Sequence, residues 1–139
     1  MLELVRARLA DHGAPITTVV IAEDIDEMAN EAGRVPNGAV VITPLRERGL
    51  ANALVSGGFR QRVEVQLLVG FVIRQHGLLG AARALSFDAG KTAIETALAG
   101  WEPPGLEPFE LVGGESSPLG AGVSIYVQTW QTARFLTGA

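Results

Sequence analysis

The sequence predicts an α+β fold: a mostly antiparallel twisted sheet of about four to five strands, with two or three helices packed on it. Three observations predict it. Strand and helix signals follow one another as α-β-α-β, a long irregular stretch, then β-α-β-β, and adjacent strand runs favour antiparallel pairing. Residues 61–74 alternate strictly, with Gln61, Val63, Val65, Leu67, Val69, Phe71 and Ile73 on one side. The chain has 139 residues, the usual size of one domain, and 47% of them are hydrophobic, enough for a large core or a surface buried against partner subunits.

Each element has its own warrant. Leu2, Val5 and Leu9 share one helical face over residues 2–11, with Arg6 and Arg8 elsewhere, and Gly13 and Pro15 stop that helix. "ITTVVIA", 16–22, is β-branched and reads as a strand. "EDIDEMANEAG", 23–33, reads as a short acidic helix with a buried stripe of Ile25, Met28 and Ala29. Its early acids suit the positive end of a helix dipole, and Gly33 fits the C-cap. "GAVVITPL", 38–45, reads as a second strand ended by Pro44.

Residues 46–62 carry two glycine punctuations and no clean period, so a long loop or mobile hairpin is expected at about 46–60 of a single domain spanning 1–139. The alternating strand that follows would be roughly 45 Å long at about 3.4 Å per residue, far above the norm. Either it breaks near Gly70 or part of it projects from the domain. Its second face is polar early and apolar late, so the late half is expected to be buried on both sides. Residues 78–99 read as the main helix, with Phe87, Ile94 and Leu98 on one stripe beside Gly90 and Ala97. Gly90 weakens that helix by about 1 kcal/mol relative to Ala. Residues 106–114 read as an edge strand interrupted by Pro108, and 114–122 as a turn. Residues 123–136 form the last long strand, with Val123, Ile125, Val127 and Phe135 on one face and Tyr126 and Trp130 on the other.

Composition excludes several chemistries. No cysteine is present, which removes disulfides, thiolate catalysis and thiolate metal sites. A net charge of −4 does not favour nucleic acid. The longest strongly apolar run, near 65–73, is about half of what a membrane-spanning helix needs, so no membrane partner is expected. The amphipathic, acid-containing N-terminus lacks the apolar centre and small-residue cleavage site of a secretion signal.

Motifs for catalysis or cofactors fail on spacing. "AGKT", 89–92, lacks the early glycine of a phosphate loop and follows helix-like sequence, so Lys91 reads as a solvated helix residue. "GAGVSI", 120–125, lacks the third glycine of a dinucleotide fingerprint and precedes a strand; it reads as a hairpin turn. His12 and His76 each sit at an element end, and Ser56 lacks the first glycine of a nucleophile elbow. No catalytic, cofactor-binding or metal site is expected.

Two charge clusters and one joint remain. Glu23, Asp24, Asp26, Glu27 and Glu31 crowd the short acidic helix; such a run can bind a divalent cation but more often is a solvated face, with a surface for a neighbouring subunit the next option. Arg46, Arg48, Arg60 and Arg62 bracket the irregular stretch, offset only by Glu47, with Phe59 the single aromatic among them. They read as loop solubility or as a contact for an acidic partner surface. In "ALAGWEPPGLEPF", 97–109, Gly100 ends the main helix and Pro103 and Pro104 forbid its continuation. Trp101 then reads as packing under the helix end, fixing the angle at which 106–114 joins the sheet.

A helix ending in Ala-Leu-x-Gly-Trp-x-Pro (97–103), followed by a pair of long C-terminal strands with "YVQTWQTARF", resembles the tail terminator proteins of long-tailed phages. More closely it is similar to the small Mu-like and lambda minor tail protein U-like tail proteins. The resemblance covers most of the chain. It implies a hexameric ring on the last ring of the tail tube, at the head-proximal end of the virion tail, made in the host cytoplasm. Such a ring stops tube polymerisation and provides a head-tail joining surface. The implied partners are the protein itself, the tail tube protein and head-tail connector proteins, with DNA only as passing cargo and no cofactor. A different reading of the same residues is a small α+β module that binds a ligand or protein without catalysis.

Overall fold

Among the described residues the elements are α1 (Leu2–His12), β1 (Val19–Ile21), α2 (Ile25–Ala32), β2 (Val40–Asn52), β3 (Arg60–Arg74), α3 (Gly80–Leu98), β4 (Glu110–Gly120) and β5 (Val123–Thr137). The structure is a computed structural model, and it describes residues 1–74, 80–120 and 122–138. The strands form one sheet in the order β1-β2-β3-β5-β4. β1 is parallel to β2, with α2 between them; every other neighbouring pair is antiparallel. The predicted α+β class and mostly antiparallel sheet are therefore observed.

Alternation along β3 builds two cores, one on each face. Leu67, Val69, Phe71 and Ile73 point to the face covered by α1 and α3, where they meet Val5, Leu9, Ile94 and Leu98. Trp130 of β5 and Phe109 complete that core. Leu68 and Val72 point the other way, against Met28 and Ala32 of α2 and Ile125 of β5. The late half of β3 is buried on both sides, and the strand runs through Gly70 without a break. Each such side chain stabilises the fold by about 1.5–3 kcal/mol through removal from water.

Gly90 explains how close α3 comes to the sheet. A Cβ added there would lie 2.3 Å from the Phe71 ring. The residue that weakens the helix by propensity is the one that lets the helix approach Phe71.

The end of α3 is closed by backbone and aromatic contacts. Gly100 adopts φ +74°, which suits glycine, and its N–H donates to the Phe109 carbonyl at 2.9 Å. The Phe109 N–H donates to the Trp101 carbonyl at 2.9 Å, so residues 101–109 form a closed loop. The Trp101 ring stacks on Phe109, with centroids 5.5 Å apart and planes 11° from parallel. Arg8 of α1 donates from Nε to the Ala97 carbonyl at 2.9 Å and lies 5.2 Å from the Trp101 ring centroid. The cation thus sits at the negative end of α3 and over an aromatic face. Pro103 is buried in the loop and Pro104 is exposed.

Several elements depart from the sequence expectation. Strand β2 does not end at Pro44 but continues to Asn52. β1 pairs with β2 only as far as Ile42, so the missing Pro44 N–H faces an open edge, and a register shift between Pro44 and Arg46 absorbs the ring. Of the two expectations for 46–60, long loop or hairpin, the hairpin is observed: β2 and β3 pair antiparallel out to Asn52 and Gln61 and are joined by residues 53–59. β4 begins after Pro108 and runs to Gly120, so residues expected as a turn are edge strand. In α2, Met28 and Ala32 are buried, while Ile25 is 57% exposed and Ala29 is exposed. The helix starts at Ile25 itself, and at that first position the side chain borders the groove rather than the core. Residues 78 and 79, the expected start of the main helix, and His76 lie outside the described residues.

Candidate functional site

Beyond the two cores, the sheet extends as an arm of β2 from Arg46, β3 up to Gln66, and β5 from Gln131. Cross-strand pairing sets which side chains share its two faces. One face carries Gly49, Val63 and Arg134 in one row and Glu47, Val65 and Thr132 in the next. Arg134 donates from Nε to Glu47 Oε1 at 3.1 Å, a bond that crosses over β3. This hydrogen bond holds the Glu47 carboxyl below the usual carboxylate range.

The opposite face is a polar ladder. Gln66 donates to Gln131 Oε1 at 2.9 Å, and Gln131 donates to Glu64 Oε2 at 2.9 Å. Arg62 lies 3.5 Å from the same Glu64 carboxylate and donates to Glu107 at 2.8 Å. Glu107 belongs to the loop after α3, and its carboxyl is held below the usual range by the Arg62 hydrogen bond. Its backbone is stitched to β5: the Glu107 N–H donates to the Ala133 carbonyl at 2.9 Å, and the Thr132 hydroxyl donates to the Glu107 carbonyl at 2.6 Å.

The four arginines singled out by sequence thus divide. Arg62 is engaged with Glu107 and Glu64, and Arg60 stacks 4.0 Å from the Phe135 ring centroid. Arg46 and Arg48 are exposed at the open edge of β2, with no ion-pair partner among the described residues. Phe59 packs against the backbone at Gly138 and stays 39% exposed.

The acids divide too. Asp24 is the N-cap of α2 and accepts from the Glu27 N–H at 2.8 Å. Glu31 pairs with Arg34 at 3.2 Å, while Glu23 and Asp26 are exposed. Because β1 ends where β2 leaves the body, the α2 N-terminus sits at the root of the arm. Glu23, Asp24 and Arg46 consequently line one cleft of about 530 Å³ within a single copy. The acidic and basic clusters adjoin.

Beside that cleft, an apolar groove of about 470 Å³ crosses the sheet between α2 and β4, with Leu45, Leu68 and Val127 on its floor and Ile25 and Val112 on its walls. Sequence reasoning did not reach this groove, Glu107 or Arg134. Leu54 and Val55, an aliphatic pair directly before "SGG" in a polar stretch, were the one legible sign that the arm tip is apolar.

The remaining motif residues are unremarkable. Lys91 lies 3.7 Å from Asp88 on α3, His12 is exposed, and Ser56 is exposed at the arm tip. Among the described residues, no group of three or more His, Cys, Asp or Glu is placed to hold a metal ion. No helix among them is long and apolar enough to cross a membrane.

The site is thus a long polar arm beside an open apolar groove on a two-core domain. The chain belongs to the phage tail terminator family: the model for phage tail terminator proteins matches residues 1–138. That membership assigns it a structural role in a phage tail. A solved structure described as the virion of a native gene transfer agent particle contains a chain with a similar fold. The two chains are 14% identical, with a TM-score of 0.56 over 96% of this chain and 94% of that one. No curated protein matches the sequence.

Proposed function

We propose that copies of this chain close into a ring, six-membered by resemblance, that caps the tail tube. The ring seats on the last ring of tail tube protein at the head-proximal end and stops further polymerisation. Its other side offers a joining surface to head-tail connector proteins, and DNA passes through the lumen as cargo. The protein acts without catalysis or cofactor, after synthesis in the host cytoplasm.

The family match across residues 1–138 carries this reading. A closed cyclic ring needs two different complementary patches on each copy. In this reading Arg46 and Arg48 of one copy face the acids Glu23, Asp24, Asp26 and Glu27 of the next, with Phe59, Arg60 and Arg62 bracing the arm that carries them. For that contact the arm of each copy has to cross the subunit boundary. Gly100, Trp101, Pro103 and Pro104 hold the loop that anchors Arg62 through Glu107.

The test is the double variant Arg46→Glu, Arg48→Glu. Light scattering should show loss of ring mass, and electron microscopy should show tails of uncontrolled length. Wild-type mass together with wild-type tail length overturns the proposal.

A further inference from the structure

We propose that the arm tip of one copy docks in the apolar groove of the next, Leu54 and Val55 filling the floor made by Leu45, Leu68 and Val127. The inference rests on the ring reading above and names its contact.

The tip is a built knob. Asn52 Oδ1 accepts from the Leu54 N–H at 3.2 Å and from the Arg60 N–H at 2.9 Å, and the Ala53 N–H donates to the Arg60 carbonyl at 2.8 Å. Held by those bonds, the turn presents Val55 fully exposed and Leu54 43% exposed. At the end of a polar arm Val55 stands wholly in water, an exposure that burial against another chain would relieve. Seven strand residues separate Leu45 from the turn, about 23 Å at 3.3 Å per residue, so the tip cannot fold back into its own groove.

The groove is a built hole. Helix α2 has eight residues and packs over β2, β3 and the start of β5, leaving Val127 and Thr129 of β5 and the adjoining part of β4 at the open groove. A register shift between Leu111 and Gly113 leaves Val112 unpaired, at the groove wall and 55% exposed. A volume of about 470 Å³ takes a pair of aliphatic side chains.

Charge selects the occupant. The arm carries Arg46, Arg48, Arg60, Arg62 and Arg134 against Glu47 and Glu64, while Glu115 of β4 lines the groove and Glu23 and Asp24 line the cleft beside it. Knob and hole are different patches present on every copy, which is the head-to-tail relation that closes a ring. A second copy therefore satisfies both at once.

The chain has no cysteine, so in a Val55→Cys, Val112→Cys variant only the introduced thiols can pair, and each single variant alone, which should stay at the monomer band, controls for pairing between like positions. Both positions are exposed, and an unchanged melting temperature of the reduced variant checks the fold. Rings, free or assembled on tube protein, are oxidised mildly and run on non-reducing gels. A ladder of multiples of 14.6 kDa is expected from the double variant. Mixing the two single variants should give covalent dimers and nothing larger. Intact rings by light scattering with only the 14.6 kDa band overturn the docking. So does a Val55→Glu variant that keeps ring mass and loses only tube capping, which would assign the tip to the tube. Failure of the wild type to form rings, alone or on tube protein, overturns the ring reading itself.

Discussion

Glu47 and Arg134 join hands across β3, from the two strands that flank it, at 3.0 Å between Arg134 Nη2 and Glu47 Oε2. Beneath that bridge lie Val63 and Val65, both buried. As charge, an exposed pair contributes little. As cover, the arginine stem excludes water from two valines. Arg134→Ala should therefore lower the urea midpoint more than Glu47→Gln does, and should speed amide exchange at residues 62–66. Equal midpoints for the two variants would reduce the bridge to a surface ion pair.

Acid should loosen the same region first. Hydrogen bonds from Arg134 and Arg62 hold the Glu47 and Glu107 carboxyls below their ordinary value. A carboxylate depressed in the folded state stabilises the fold above its unfolded pKa, about 4.3, and that contribution disappears as pH falls through the folded value. Melting temperature should thus be insensitive to these groups from pH 7 to about 5 and drop below about 4. The Glu47→Gln, Glu107→Gln variant should start lower and fall less steeply in that acid window. A variant curve parallel to wild type would show that other carboxylates set the acid limit.

Gly90→Ala separates helix propensity from packing. Propensity alone favours Ala by about 1 kcal/mol. Against it, the new methyl meets the Phe71 ring at 2.3 Å in a core that has to shift. Overpacking of this kind costs about 1–3 kcal/mol, so the variant should be less stable by up to about 2 kcal/mol net. Chemical denaturation decides the sign. A stabilised variant would mean that Phe71 yields freely.

The two strands of the hairpin were unequally legible. Strict alternation in 61–74 announced β3 and its double burial, because both faces of its late half are apolar in the sequence itself. The arm segment 46–52 was invisible, because "RERGLAN" has no alternation: both its faces meet water or polar partners rather than a core. Pro44 misled for the same reason, since a proline is tolerated at an edge that only the tertiary arrangement creates. Ile25 has the right spacing for a core stripe and still borders the groove, because it is the first residue of α2, at the end of the helix where the core stops. The Arg46 and Arg48 cluster was readable as charge, but its adjacency to Glu23 and Asp24 follows from parallel pairing of β1 with β2, which no local pattern encodes.

Trp101 and Trp130 give the last contrast. Sequence placed structural weight on Trp101, where a helix breaks into prolines. The structure adds that Trp130 is the fully buried one, its indole N–H donating to Gln128 Oε1 at 3.1 Å inside the core. Trp130→Ala should cost about 3–5 kcal/mol, as a large-to-small change with little room to collapse. Trp101 is half-buried, so its truncation removes part of a burial term and one aromatic stack on Phe109, about 2 kcal/mol together. Its loss should also free the loop that carries Glu107, and so raise amide exchange at Glu107 and Phe109 more than Trp130→Ala does at matched stability. Urea titration gives the order and hydrogen exchange gives the locality. A Trp101→Ala variant as unstable as Trp130→Ala, with exchange raised evenly across the chain, would make Trp101 a core residue rather than the clasp of one loop.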